Sequence, residues 1–380
     1  MEEMEAVAAL TALPGIGPVR LQRLLEHTGS ARGAWELGAA GIAGVLKLGP
    51  EAGSAVAAAW RPDLGRRTLE QAAGHGFRPL LLGAPGYPKA LMQVEMPPLL
   101  LWVAGRLPEA GEPCLAVVGT RQASESGRRL ARRLTERLAA AGVGVVSGLA
   151  VGIDAAAHEG AMAGGGATWG VLATGPGGRY QHGGPALLRR VREAGGLLTE
   201  FPPGHEPRKH DFRWRNRLIA ALGWATLVVE APLRSGALLT AQAAQQMERT
   251  VLALPGDPGR PQTMGSNLLL RDGGAVMVLD AEDILTALSL GGGLRRRPGE
   301  AEQAGALARA LSNLPRAERR LLQAVADGPR GLSGLCEAAR MSLSTGSALL
   351  LSLELAGWVE RDGSGRYHLA ERTRQAMGLS

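Results

Sequence analysis

Between residues 115 and 279 seven short apolar runs recur, with helix-like patterns between most of them. They are LAVVG (115–119), VGVVS (143–147), TWGVLAT (168–174), GLLTE (196–200), ATLVVE (225–230), TVLALP (250–255) and AVMVL (275–279). A strand that is apolar at nearly every position has no face to give to water, so it must be covered on both sides. Such strands alternating with helices predict an α/β fold with a mostly parallel sheet between two helical layers. Within it, Leu130, Leu134 and Leu138 recur every four residues, while Arg128, Arg129, Arg132, Arg133 and Arg137 fall mostly elsewhere on the wheel. That pattern predicts an amphipathic helix with a solvated basic face.

The flanks read differently. Residues 5–75 predict short helices rich in Ala and Leu. The stretch GGGLRRRPGE (291–300) reads as a linker. Beyond it, LPRAERRLLQAVAD (314–327), GLSGLCEAAR (331–340) and SLSTGSALLLSLELAG (342–357) predict three helices. WVERDG (358–363) and GRYHLA (365–370) predict a hairpin. Three helices followed by a hairpin make a winged helix. The expected domains are therefore a helical domain over 1–80, the sheet domain over 81–290, a linker over 291–305 and a winged helix over 306–380.

Ligands of open parallel sheets bind beyond the carboxyl ends of the strands. Four Gly- or Ser-rich turns fall there: GTR (119–121), SGLAVGID (147–154), APLRSGALLTA (231–241) and TMGSNLL (263–269). Ser147, Gly148, Ser235, Gly236, Gly265, Ser266 and Asn267 are small, so the backbone N–H groups there have room to approach an anion. One such turn is ordinary helix capping; four on one sheet edge favour an anionic ligand. No GxGxxG follows the first strand and no GxxxxGK[ST] occurs, which argues against a nicotinamide cofactor and a Walker-type ATPase.

The densest charge lies at 208–217. Arg208, Lys209, Arg213, Arg215 and Arg217 face only Asp211, with Phe212 and Trp214 interleaved. Cations hold phosphates, and an aromatic ring gives an unpaired base a stacking surface. The alternative is a solvated basic loop with its rings packed inward; beside four anion-ready turns, nucleic acid is favoured. The whole chain carries 42 basic and 35 acidic residues, net +7. Because only three of the basic residues are lysines, a GC-rich genome explains the arginine content as well as a partner does.

Other features yield less. LPGIGPVRL (13–21) is a Gly hairpin of the kind that offers N–H groups to a DNA phosphate, or a plain helix connection. Residues 1–112 hold 10 basic and 11 acidic residues, net −1, which favours the connection. The histidines show no HxxxH or HxH pairing, so no metal site is expected. Asp154 and His158 are spaced as a cap and its neighbour rather than as an acid–base pair. Cys114 and Cys336 make neither a disulfide framework nor a zinc site and read as reduced thiols of a cytosolic protein. The acidic start lacks signal-peptide order, and no apolar run reaches the roughly 18 residues of a membrane span.

Several long motifs, in order, resemble the bacterial DNA processing protein A family (DprA, or Smf). They are AVVGTR, VVSGLAVGIDAAAHEGAMAGGGATWGVLATG, FRWRNRLIA, LVVEAPLRSGALLTAQAA, LALPGDPG and MGSNLLL, with GYPKALMQVEMPPLLLWVAGR (86–106) as lead-in. The resemblance implies a Rossmann-like doubly wound sheet between a helical SAM-like N-terminal domain and a C-terminal winged helix. It also implies single-stranded DNA binding, protection of incoming DNA during natural transformation and loading of a RecA-type recombinase. Dimers form through the Rossmann-like domain, and single-strand-binding protein is a further partner. Carried onto this chain, Arg121, Lys209 and Phe212 belong to the DNA pocket. Arg215, Asn216 and Arg217, with Ser147, Gly148, Ser235 and Gly236 of the SGLA and RSG turns, line it. The chain departs from the family pattern at GTR for GSR, TE (199–200) for SE, and RYQHGGP (179–185), to which no role is transferred.

The competing enzyme reading is a Rossmann-like nucleotide phosphoribohydrolase. Those enzymes carry PGGxGTxxE, whereas PGG at 176–178 continues as RYQHG, and Glu230 has no nucleophile paired with it in sequence. A winged-helix transcription factor is a third reading. The expected recognition helix, residues 342–357, holds no Arg, Lys, Asn or Gln for base contacts. Its Leu run at 349–351, 353 and 355 suggests a protein-facing surface instead.

Overall fold

The computed structural model describes residues 1–179, 184–290, 314–328, 330–355, 358–362, 365–370 and 373. The expected linker 291–305 and most of RYQHGGP lie outside them. Two compact units are present, Met1–Leu294 and Arg295–Ser380.

The first unit opens with six short helices: α1 (Glu3–Ala12), α2 (Pro18–Thr28), α3 (Ala31–Glu36), α4 (Gly38–Val45), α5 (Pro50–Ala59) and α6 (Leu64–Gly74). The alternating segment follows as β1 (Arg78–Leu81), β2 (Leu100–Gly105), β3 (Cys114–Val118), α7 (Glu125–Ala140), β4 (Gly144–Ser147), α8 (Ile153–Ala163), β5 (Thr168–Val171), α9 (Gly184–Ala194) and β6 (Gly196–Thr199). It continues with α10 (Lys209–Leu222), β7 (Ala225–Val228), α11 (Gly236–Gln246), β8 (Thr250–Ala253), α12 (Met264–Arg271), β9 (Val276–Met277) and α13 (Ala281–Leu290). All seven apolar runs became strands. They form one sheet in the order β1-β2-β6-β5-β4-β3-β7-β8-β9. Every pair from β6 through β9 is parallel, while β1–β2 and β2–β6 are antiparallel.

The side-chain period of two explains why the strands are apolar throughout. In β3, Ala116 and Val118 point into a core with Leu218, Ile219 and Leu222 of α10 and Ala237 and Ala241 of α11. Leu115 and Val117 point into the opposite core with Leu134 and Leu138 of α7, Ile153 and Ala157 of α8 and Ile284 of α13. The Arg128, Arg129, Arg132, Arg133 and Arg137 face of α7 is exposed, as its periodicity predicts. α7 and α8 approach closely because α8 carries Gly160; a Cβ there would lie 2.1 Å from Thr135 Oγ1.

The strand β2 joins the sheet to the N-terminal helices. Leu101 and Val103 enter the core with α10, while Leu100, Trp102 and Ala104 enter one shared with Leu10, Leu24, Trp35 and Ile42. The helical region therefore shares its apolar interior with one end of the sheet.

The second unit contains helices Arg316–Ala326, Leu332–Ala338 and Leu343–Leu355 and a hairpin of Val359–Arg361 with Tyr367–Leu369. Leu321, Leu335, Leu350, Leu353 and Val359 share its core, with Leu349 packed against it. Three leucines of the run thus serve that core rather than an outer surface. Among the described residues no helix is long and apolar enough to cross a membrane.

Candidate nucleic-acid interface

Strand order reverses between β3 and β7, so the chain leaves these neighbours in opposite directions and a crevice opens at their carboxyl ends. The GTR turn leaves β3 here, and the EAPLRSG turn leaves β7. Arg121 is exposed at this edge. Ser235 is the N-cap of α11, its Oγ accepting the Ala237 N–H at 3.2 Å, and Gly236 beside it is exposed.

The basic segment is a helix rather than a loop. At its start, the buried Asp211 carboxylate accepts the Arg208 N–H at 2.8 Å and lies 2.8 Å from His205 Nε2. The one acid among the cations thus closes the first turn of α10. The first two turns present Lys209, exposed, and Phe212, half-buried. The Arg121 guanidinium lies over the Phe212 ring, 5.0 Å from its centroid. Arg121, Lys209 and Phe212 thereby join the turn after β3 to the start of α10.

One turn further along the same face of α10 as Phe212, Arg215 and Asn216 are held against the sheet. Arg215 is 4% exposed and donates to the Gly148 carbonyl at 2.9 Å and to the Val171 carbonyl, so it ties α10 to the ends of β4 and β5. Asn216 Nδ2 donates to the Gly236 carbonyl at 3.1 Å, tying α10 to the start of α11. Gly148 allows the first tie: a Cβ there would lie 2.6 Å from Arg215 Nη2. Ser147 is fully buried, and its hydroxyl donates to the Val117 carbonyl at 2.6 Å. These four residues hold the site together from behind.

The small-residue turns spend N–H groups inside the fold. The Asp154 carboxylate accepts from Gly148 N at 3.2 Å and Ala150 N at 3.4 Å. Leu149 between them holds φ at 58°, a left-handed value rare outside glycine. In the MGSN turn, Gly265 N and Ser266 N both donate to the Ala231 carbonyl, at 2.7 and 3.3 Å. Asn267 exchanges two 2.9 Å hydrogen bonds with the Gly256 backbone. These N–H donors are taken by protein acceptors. The turn after β3 also spends donors, Thr120 N on the Glu230 carbonyl at 2.7 Å and Gln122 N on Thr120 Oγ1 at 3.2 Å, so it meets the crevice through the exposed Arg121 side chain.

Arg217 has an internal task that the sequence does not disclose. It pairs with Glu200, the last residue of the GLLTE run; the two side chains are 14% and 5% exposed. Its guanidinium stacks over Trp214 at 4.3 Å. Burial pushes the Glu200 carboxyl up, and the adjacent guanidinium pulls it back. Glu200 lies 17 residues from Arg217, so no local pattern links them.

The acid–base candidates are structural. Glu230 takes the Ser124 N–H and hydroxyl at 2.9 and 2.5 Å, fixing the start of α7. His158 is fully buried with Nδ1 2.7 Å from Thr168 Oγ1, and burial lowers its pKa to about 3. Burial raises Asp154 to about 6. Among the described residues no group of three or more His, Cys, Asp or Glu side chains is placed to hold a metal ion.

Comparison with known proteins follows the same outline. A family profile described as DNA recombination-mediator protein A matches residues 78–289, and a DprA winged-helix profile matches 305–365. Protein Smf of Synechocystis is 30% identical over 94% of this chain and 97% of its own length. A putative DNA processing protein DprA of Mycobacterium tuberculosis is 42% identical over 71% of this chain and 68% of its own. The crystal structure of DNA processing protein A from Streptococcus pneumoniae is similar with a TM-score of 0.62 at 28% identity, covering 75% of this chain and 98% of that one. The Helicobacter pylori protein, solved for its single-stranded DNA binding mode, is similar with a TM-score of 0.50 at 25% identity, covering 57% and 98%.

Proposed function

The chain belongs to the DNA recombination-mediator protein A family, and from that premise we propose that it binds single-stranded DNA at the crevice between β3, β7 and the start of α10. The observation that carries this reading is the Arg121–Phe212 pair beside Lys209 at the point where strand order reverses. Cations that hold phosphate and a ring that stacks on an unpaired base stand side by side there. A duplex keeps its bases paired and offers that ring nothing, so single strands are preferred. Arg121, Lys209, Phe212, Ser235 and Gly236 meet the strand. Ser147, Gly148, Arg215 and Asn216 hold those residues in place. Competition tests this. Unlabelled single strand displaces a labelled one from the full chain, and blunt duplex of equal length does not; equal displacement would refute the reading.

In the cell, this binding protects incoming DNA during natural transformation and helps load a RecA-type recombinase, in the cytoplasm and in the presence of single-strand-binding protein. A homodimer through the sheet domain is part of the same reading. It is supported by the two-residue edge strand β9, where Val276, Met277 and the nearby Leu279 are 55%, 55% and 63% exposed. Exposed apolar side chains gathered at one end of the sheet mark a surface that a second copy can cover. The division of labour follows the domains: helical over 1–80, strand-binding over 81–290, linker over 291–305 and winged helix over 306–380.

The protein acts by binding, without turnover. The Glu230 carboxylate is committed to Ser124, and His158 and Asp154 are shut away from the crevice. A nucleotide phosphoribohydrolase needs a carboxylate at the substrate. Assay of the purified chain for base released from nucleoside monophosphates discriminates: none is expected, and release that disappears in Glu230→Gln would establish the enzyme.

A further inference from the structure

The hairpin at 13–18 and the start of α10 face each other across a cleft of about 1180 Å³. It lies away from the Arg121–Phe212 pair, on the other side of the same helix. Ile16, Pro98 and Leu99 give it an apolar lining, and Arg20, Arg208 and Arg213 stand around it. Of its three carboxylates, Glu200 is held by Arg217, and Asp211 by Arg208 N–H and the histidines, which leaves Glu95 alone. The cleft is therefore apolar within and positive in balance.

Its wall also holds unspent donors. Arg217 Nη2 binds Glu200, but Arg217 Nε and Nη1 are buried without a hydrogen-bond partner. Buried donors of this kind are costly and are seldom left unanswered. They lie beneath the cleft wall beside Glu200 Oε1, which is likewise without a partner. Trp214 lies against the same guanidinium. Residues 212 and 214 stand roughly 200° apart around a helix of 3.6 residues per turn. α10 thus carries two aromatic–guanidinium pairs on opposite sides, one at the crevice and one at the cleft.

We propose that the cleft takes further nucleotides of the single strand that begins at Phe212, with a base set against Trp214 and phosphates on Arg20 and Arg213. A nucleotide combines the planar apolar body, the acceptors and the negative charge that this lining matches. The strand passes over the start of α10 from one pair to the other. The helical region shapes the DNA path through its hairpin, despite the net charge of −1 over residues 1–112. This inference rests on the single-strand reading above.

The test compares the full chain with its Arg20→Ala/Arg213→Ala variant on oligonucleotides of about 4 and about 16 nucleotides, the range of ordinary single-strand sites. The variant is expected to bind the long strand at least about tenfold more weakly. Its log–log salt slope should be shallower by about 1.4, two phosphates at about 0.7 each. On the short strand its loss should stay below about twofold, since the crevice fills first. Equal losses on both lengths, or none on either, would overturn the cleft while leaving the single-strand reading intact. A wild-type chain that bound neither length would instead remove the reading itself. A second measurement does not depend on the variant: 5-iodouracil placed along the long strand should cross-link to Trp214 in the wild-type chain. Absence of that cross-link overturns the proposal. So does saturation of the cleft by thymidine monophosphate alone with undiminished affinity, which would make it a free-nucleotide site.

Discussion

Phe212 and Arg121 touch each other, yet in the proposed function they hold a strand by different physics. Arg121→Ala removes a cation, so affinity falls and the log–log salt slope loses about 0.7 for each phosphate no longer neutralised. Phe212→Ala removes a stacking surface worth about 1–3 kcal/mol and releases no counterion, so affinity falls with the slope unchanged. Salt titrations of the two variants check this; a slope that moved with Phe212→Ala would contradict it. Asp154 and His158 make a second residue-scale prediction. Burial lowers the folded His158 pKa from 6.5 to about 3, so between those values only the unfolded chain holds the proton, and stability falls as pH falls. Asp154 is raised from 3.8 to about 6, so between those values only the folded chain holds its proton, and the sign reverses. From about pH 6 down to about pH 4 the two cancel. Asp154→Asn keeps an acceptor for Gly148 N and Ala150 N but abolishes the compensation. Relative to wild type, its stability should therefore drop by about 1.4 kcal/mol per pH unit across that window. Denaturant melts at several pH values measure it; parallel curves for the two proteins would contradict the assignment.

At the scale of the element, α10 joins the cations to the sheet. Arg217→Ala leaves Glu200 buried without its cation, and denaturant unfolding should show a stability loss of about 3–5 kcal/mol. Glu200→Gln combined with Arg217→Met removes both charges and should recover most of it. A single variant as stable as wild type would mean that Arg217 is free for phosphate. The sequence made the seven parallel strands legible because burial on both faces leaves a continuous apolar run. It concealed β1, whose four residues begin Arg78–Pro79 and read as punctuation, and β2, whose apolar run sits inside a Pro-rich lead-in. In the site, the cations at 208–217 were legible as a charge cluster, but their division was not. Asp211, Arg215, Ile219 and Leu222 fall on one face at helical spacing, and that period was the available signal that Arg215 turns inward. The Arg217–Glu200 pair had no such signal, since the sheet alone brings those residues together. The turns after β4 and before α12 looked open to an anion because small residues mark a close approach without saying to what. Here the partners are Asp154 and the Ala231 carbonyl.

At the scale of the whole molecule, the proposed DNA path lies within the first unit. The helix Leu343–Leu355 has no Arg, Lys, Asn or Gln to read bases, and Leu350 and Leu353 fill its own core. Truncation after Leu290 should keep most of the single-strand affinity. A loss above about 1.4 kcal/mol, tenfold in the binding constant, would move the site to the winged helix. The central claim, that an aromatic–cation crevice at the strand-order reversal selects unpaired DNA, is tested most directly by titrating the full chain with single-stranded and blunt duplex oligonucleotides over a range of salt. The account predicts tighter binding to the single strand, weakening with salt at about −0.7 per phosphate contacted. A flat salt dependence, or equal affinity for the duplex, would contradict it.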